Sequence, residues 1–298
     1  MRKILFVIFA VLATVPSYLF YSVEIFSPVH IQFQQTENLA YHPMKTDSGL
    51  TCFQTEENIN SIQQDKFRLL IWNVHKGLDH GWQEELENLA QGKDFLLLQE
   101  ATNTQNLAEK FSSQFPTALY ATAFAYLTQQ SGVQILSKFS PHFYCAGAEV
   151  EPWIRIPKVG EAMTFPLANG QALLVVNVHL INFEINLAAY RQQLSRLMSL
   201  VNRHHGPIVL AGDFNSWNGY RLALIRELAK QYDLQEVNFS QDHRLRFLDY
   251  PLDHVFLRGL SVTSATTHPT EASDHAPLLV EVDDRCRHHN FNFPAWVR

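Results

Sequence analysis

Apolar residues fall along this chain in runs of strand length that alternate, from residue 66 onward, with segments of helical spacing. FRLLIWNV over residues 67–74 predicts a strand, WQEELENLAQG over 82–92 a helix stopped by its glycine, and DFLLLQE over 94–100 a strand buried on both faces. GVQILSKF over 132–139 reads as another strand. Residues 161–180, EAMTFPLANGQALLVVNVHL, read as a hairpin whose Asn169-Gly170 pair suits a turn matching the strand twist. Antiparallel pairing therefore enters an otherwise β-α-β order. In NLAAYRQQLSRLMSLVNRHHG the residues Leu187, Tyr190, Leu194, Leu197, Met198 and Val201 share one helical face, and Gly206 with Pro207 ends the helix. His204 and His205 are accounted for by the favourable field on cations at a helix C-terminus. A strand over 207–212, a helix over 216–231 and strands over 252–257, 262–268 and 277–282 complete the order. With no break in composition, one mixed α/β domain over residues 65–284 is expected, followed by a tail over 285–298.

The flanks change the picture. Residues 24–64 are polar, rich in Gln, Asn, Thr and Glu, without a sustained period, and predict a tether. Ahead of them Arg2 and Lys3 precede an uncharged run, residues 4–23, long enough to cross a bilayer as a hydrophobic helix. Residues 1–23 are read as a signal anchor in preference to a signal peptide, with the catalytic domain outside the cytoplasm, membrane-anchored or secreted. Across 298 residues, 23 Lys and Arg against 29 Asp and Glu give a formal net charge of -6, so no general basic field draws the chain to nucleic acid. Three cysteines, Cys52, Cys145 and Cys286, are too few and too scattered for a disulfide framework or a zinc site. They read as buried or free thiols, with one bridge open to an oxidising compartment.

Candidate chemistry gathers where apolar runs end: Asn73, Glu100, His179, Asp213, Asn215, Asp253, Asp274 and His275 all stand at such ends. Each alone is explained as a turn or helix cap. Together, after strongly apolar runs, they are not. In IVLAGDFN, Asp213 and Asn215 are two apart and share a face of an extended chain, while Phe214 points the other way to pack. Gly212 is expected to open the backbone to a ligand. A carboxylate beside a neutral amide suits an anionic substrate handled with water, which points to phosphoryl chemistry.

The blocks WNV, LLLQE, VVNVHL, LAGDFN, LDHVF and SDHAPLLVE, in this order and spacing, resemble the endonuclease/exonuclease/phosphatase (DNase I-like) superfamily over about residues 66–283, and are most similar to its bacterial YafD-like branch. The resemblance implies a four-layer α/β/β/α sandwich with mixed sheets and a site at one edge of the two sheets. It implies a metal-dependent hydrolase acting on phosphoric ester bonds, a phosphodiesterase or phosphatase. The alternatives are an endonuclease or exonuclease acting on DNA or RNA, and a phosphoester-binding module without catalysis. Carried over, Glu100 is the main ligand of Mg²⁺, with Mn²⁺ as the alternative, assisted by Asn73 and Asp274. Asp253 and His275 form a carboxylate–imidazole pair that activates water, His179 faces the phosphate from the other side, Asp213 orients water or phosphate, and Asn215 donates to a phosphate oxygen. The implied partners are a phosphoester substrate (lipid headgroup, small phosphodiester or nucleic acid) and, through the N-terminal segment, a membrane; a monomer is the expectation. Departures from the family pattern are His75 after the first block, read as peripheral, and Val133 and Gln134 in place of a substrate-side amide. Arg155 and Lys158 are candidates for phosphate or headgroup contacts, with a solvated turn the preferred reading.

Overall fold

The computed structural model describes Tyr18, residues 21–46 and residues 48–284. The chain opens with strands β1 (Val23–Gln35), β2 (His42–Met44), β3 (Thr51–Gln54) and β4 (Lys66–Asn73), then helix α1 (Trp82–Ala90), strand β5 (Phe95–Thr102) and one-turn helix α2 (Leu107–Lys110). Strands β6 (Thr117–Tyr126), β7 (Gln129–Ser137), β8 (Phe143–Val150), β9 (Pro157–Pro166) and β10 (Ala172–His179) follow, then helix α3 (Ala188–Arg203), strand β11 (Ile208–Asp213) and helix α4 (Gly219–Gln231). Short strands β12 (Gln235–Glu236), β13 (Arg246–Phe247) and β14 (Tyr250–Pro251) lead to β15 (Asp253–Arg258), β16 (Leu260–Thr267) and β17 (Leu278–Asp284).

Among the described residues these strands form two large mixed sheets, ordered β1-β6-β7-β5-β4-β17-β16 and β12-β15-β11-β10-β9-β8-β3-β2, and a small β13-β14 ribbon. Side-chain alternation within single strands builds the layers. Leu69, Ile71 and Leu97 of the first sheet meet Val175, Val209 and Val255 of the second in the central core. Their neighbours Leu70, Trp72, Leu96 and Leu98 face the other way and pack under α1 and α2. On the far side Leu174, Val176 and Leu210 pack under Tyr190, Leu194 and Leu197 of α3 and Leu224 of α4. This is why β5 and β10 read as continuous apolar runs: both faces are covered.

Several expectations need correction. The stretch expected as a tether supplies β1, which pairs antiparallel with β6, and β2 and β3, the latter paired with β8. Its pattern was diluted because β1 is a sheet edge with one face in solvent, yet Val29, Ile31 and Phe33 alternate and pack on the core. Cys52 and Cys145, cross-strand partners on β3 and β8, form a disulfide rather than free thiols; Cys286 lies outside the described residues. The hydrophobic helix expected over 4–23 also lies almost wholly outside them, Val23 being already in β1. Among the described residues no helix is long and apolar enough to cross a membrane. Finally, α4 starts at Gly219, three residues later than expected, because the Asn218 side chain accepts the Arg221 N–H and caps it there.

Candidate active site

Strand register assembles the site. β10 and β11 run parallel with His179 opposite Asp213, and β11 runs antiparallel to β15 with Asp213 opposite Asp253. Three adjacent strands therefore deliver His179, Asp213 and Asp253 in one row at the end of the second sheet. Gly212 is fixed by the same pairing: its φ is 136°, and a Cβ there would lie 2.1 Å from the Val178 carbonyl oxygen. The glycine serves close strand approach rather than ligand access.

The strand ends at Asp213, so Asn215 does not share its face through an extended backbone. Instead Asn215 is left-handed (φ 47°), its N–H donates to Asp213 Oδ1 at 2.8 Å, and its side-chain amide donates to the Leu180 carbonyl at 2.9 Å. An Asx-type turn holds it beside the row. Phe214 is fully buried, as expected, against Phe256 and His254.

From the first sheet come Asn73 and Glu100. Asn73 ends β4 and donates to Asp213 Oδ2 at 3.1 Å, tying the two sheets together at the site. Glu100 occupies a β-bulge, where the β5–β7 register shifts between Gln99 and Ala101, and its φ of 54° turns the carboxylate out of the ladder. Gly132 pairs with Ala101 across this bulge, and a Cβ on it would stand 2.0 Å from the Ala121 carbonyl oxygen. Asp274 and His275 lie on the loop between β16 and β17. That loop is pinned to β4 by Trp72 Nε1 donating to the His275 carbonyl (2.8 Å) and Ser273 Oγ donating to the Asn73 carbonyl (2.7 Å).

His275 Nδ1 lies 2.8 Å from Asp253 Oδ2, the expected pair, and His275 Nε2 lies 3.9 Å from Asp213 Oδ2. Burial disfavours the imidazolium, but Asp253, helped by Asp213 and Asp274, outweighs it and raises the His275 pKa to about 10. Asp213 itself is raised to about 6, because burial outweighs the pull of His275. His179 Nε2 is 3.4 Å from Asp213 Oδ2 and 3.9 Å from Glu100 Oε1. Burial and the charge of Lys158 push the His179 pKa well below its ordinary value, so the ring is neutral at pH 7. Lys158 Nζ donates to His179 Nε2 at 2.9 Å, which leaves the ring proton on Nδ1. Burial opposes the charge on Glu100, yet His179, Lys158 and Lys76 lower its pKa. With His179 neutral, the two ammonium groups carry that effect.

Two lysines thus lie among these groups, Lys158, which the sequence offered as a phosphate contact behind the preferred solvated turn, and Lys76, which it did not single out. Lys158 is drawn in by the β8–β9 pairing and is no solvated turn residue, whereas Arg155 is exposed on that turn. Lys76, on the 3₁₀ turn His75–Gly77, forms an ion pair with Glu100. Its only signal was its place three residues after Asn73. Arg221 was also missed: wholly buried, it donates to the carbonyls of Ile181, Asn182, Glu184 and Asn215 and lies over the Tyr190 and Trp217 rings. It staples the two loops that follow β10 and β11.

Asp213, Asp253 and His275 bring one potential ligand atom each to within 4.8 Å of one another, an acidic and histidine cluster that could hold a metal ion. Within this trio the Asp253 carboxylate is already taken up by the His275 imidazole at 2.8 Å. The three expected oxygen donors instead surround the 75–77 turn: Asn73 Oδ1 accepts the His75 N–H, Asp274 Oδ1 is 3.8 Å from His75 Nδ1, and Glu100 holds Lys76. His75 also contacts Asp79 at 2.7 Å, and through Asn73 and Asp274 it touches the expected metal ligands rather than standing apart from them. Two carboxylates and an amide oxygen fit a hard divalent cation, and the Lys76 ammonium already marks a cation position on Glu100.

This fold and row of residues define a class. The model of the endonuclease/exonuclease/phosphatase family matches residues 70–275, and the chain belongs to that family. Among curated relatives, a UPF0294 protein of Vibrio parahaemolyticus is 38% identical over 258 residues, 84% of this chain and 92% of that one. Among solved structures, an endonuclease/exonuclease/phosphatase of Beutenbergia cavernae superposes with a TM-score of 0.55 at 15% identity, covering 74% of this chain and 72% of that one. ANGEL2, a 2',3'-cyclic phosphatase, superposes with a TM-score of 0.57 at 17% identity, covering 76% and 97%. At these identities the solved structures speak for the fold.

Proposed function

We propose that the chain is a divalent-metal-dependent phosphoester hydrolase. The observation that carries this reading is the row His179, Asp213, Asp253 with His275 bonded to Asp253 across its end. In the proposed reaction a water oxygen attacks phosphorus, the bond to the leaving oxygen breaks, and Asp213 takes the water proton. Asp213 is assigned this role in place of His275 because His275 keeps its own proton against Asp253. The charged His275 then donates to a phosphate oxygen and stabilises the pentacovalent state. On the opposite side the Lys158–His179 couple delivers a proton to the leaving oxygen. Asn215 keeps one amide hydrogen for a phosphate oxygen after satisfying Leu180. Glu100, Asn73 and Asp274 would hold Mg²⁺ or Mn²⁺, which when bound neutralises a non-bridging phosphate oxygen.

The Cys52–Cys145 disulfide supports a catalytic domain outside the cytoplasm, since such bonds persist in oxidising compartments. The test is a panel: the full chain with bis(p-nitrophenyl) phosphate, plasmid DNA, sphingomyelin and phosphoinositides, each with Mg²⁺ or with chelator, beside Glu100→Ala. Hydrolysis of at least one ester is expected with Mg²⁺ alone, reduced at least ~100-fold in the variant. Turnover that survives chelation removes the metal assignment. Binding without turnover of any ester leaves a binding module.

A further inference from the structure

Beside the phosphate site the surface opens into a cleft of about 470 Å³, lined at one end by Glu100, His179, Lys76 and Lys158. This is the size range of small-molecule sites. Beyond those four groups its larger side chains are apolar, Phe124 and Tyr126 from β6, Ile154 and Ile156 from the 151–156 loop, and Phe183 from the loop after β10, and its other polar side chains are uncharged. A larger hollow of about 800 Å³ along β1 touches none of the site residues.

We propose that this cleft receives an alkyl chain carried by the substrate, making the substrate an amphiphilic phosphoester; the proposal rests on the hydrolase reading for the phosphate end. The apolar walls continue to the mouth and beyond. Tyr126, Ile154 and Phe183 in its lining are 43%, 45% and 46% exposed, and Trp153 and Ile185, next to Ile154 and Phe183 along the chain, are more exposed still. Large apolar side chains left half-exposed at one opening mark a surface that is covered when the site works. Charge is arranged to match: the cations lining the cleft, Lys76 and Lys158, both sit at its phosphate end, and the far wall offers an apolar chain no charge to desolvate. A nucleic-acid strand needs a succession of phosphate contacts along its path, and past the first phosphate the lining offers no further cation, only the neutral Gln129, Ser131 and Asn182.

The test separates the cleft from the chemistry. The full chain, with Mg²⁺, is titrated by calorimetry with ethyl, butyl and octyl phosphate as monomers. Affinity is expected to rise roughly two- to fourfold for each methylene that enters the cleft. Paired Ile154→Asp and Phe183→Asp substitutions are expected to flatten the series, and Phe183→Leu to retain it. Equal affinity along the series overturns the proposal. So does retention on phosphatidic acid vesicles without a gradient among the monomers, which would be adsorption at the surface only. Tighter binding of a single-stranded oligonucleotide that displaces octyl phosphate overturns it in favour of a nucleic-acid occupant. Turnover of methyl p-nitrophenyl phosphate is read separately. A flat series with turnover intact rejects the cleft alone, and a graded series without turnover rejects the hydrolase reading alone.

Discussion

Asp213 Oδ2 accepts from Asn73 and lies within 4 Å of both His179 and His275, so one carboxylate oxygen joins the two sheets and both imidazoles. The properties of His275 depend on Asp253, whose charge offsets the burial that would strip the ring of its proton. In Asp253→Asn the His275 pKa, followed by NMR, is expected to fall from near 10 toward or below its ordinary value. Turnover is expected to drop by about 10²–10⁴-fold. An unmoved His275 titration would show that another group holds the proton. At this scale the sequence was informative about identity and poor about geometry. Asn73, Glu100, His179, Asp213, Asp253 and His275 were all legible at the ends of apolar runs. The left-handed turn at Glu100, which aims its side chain, leaves no mark in residue type, whereas that at Asn215 falls on a residue type that tolerates it but as often caps a helix. Lys76 gave no signal and Lys158 was ranked a solvated turn ahead of a phosphate contact, because a lysine near a turn looks the same whether it faces solvent or a carboxylate.

Among the elements, the tightest constraint lies between the sheets beneath the site. Asn177 on β10 accepts from Gln99 Nε2 (2.7 Å) and donates to the carbonyls of Leu98 and Gln134 and to Glu161 Oε1 (3.2 Å), all buried. Gln99 precedes Glu100, and Asn177 stands two residues before His179, so this polar knot fixes the strands that present both. Burial raises the Glu161 pKa well above its ordinary value, against the opposing hydrogen bond from Asn177. The folded state therefore binds a proton that the unfolded chain has lost, and this cost to stability grows as pH rises above the unfolded value of about 4.3. Glu161→Gln removes the titration. Its urea midpoint is expected to match the wild type near pH 4 and to exceed it at pH 8, by about 1 kcal/mol or more. A constant difference at both pH values would mean that Glu161 stays charged in the fold. The continuous apolar runs of β10 and β11 were plain in the sequence. The alternation of β1 was obscured by its solvent face, and the segment read as a tether although Val29, Ile31 and Phe33 kept the period.

At the scale of the whole molecule, two mixed sheets packed face to face bring three strand ends from one and two from the other to a common edge. The β-α-β opening and the hairpin pointed to a mixed sheet system; the pairing of β10 with β11, β11 with β15 and β17 with β4 is set by contacts remote in sequence. The disulfide links β3 to β8 and so fixes the N-terminal strands to the second sheet. What this architecture protects is one arrangement of buried charge around Asp213. The most direct measurement is the turnover of bis(p-nitrophenyl) phosphate with Mg²⁺ by the full chain and by Asp213→Asn, with melting temperatures compared to establish that both are folded. A loss of at least ~100-fold in kcat is expected for a folded variant. Equal turnover by the two folded proteins would contradict the assignment of this site to phosphoester hydrolysis.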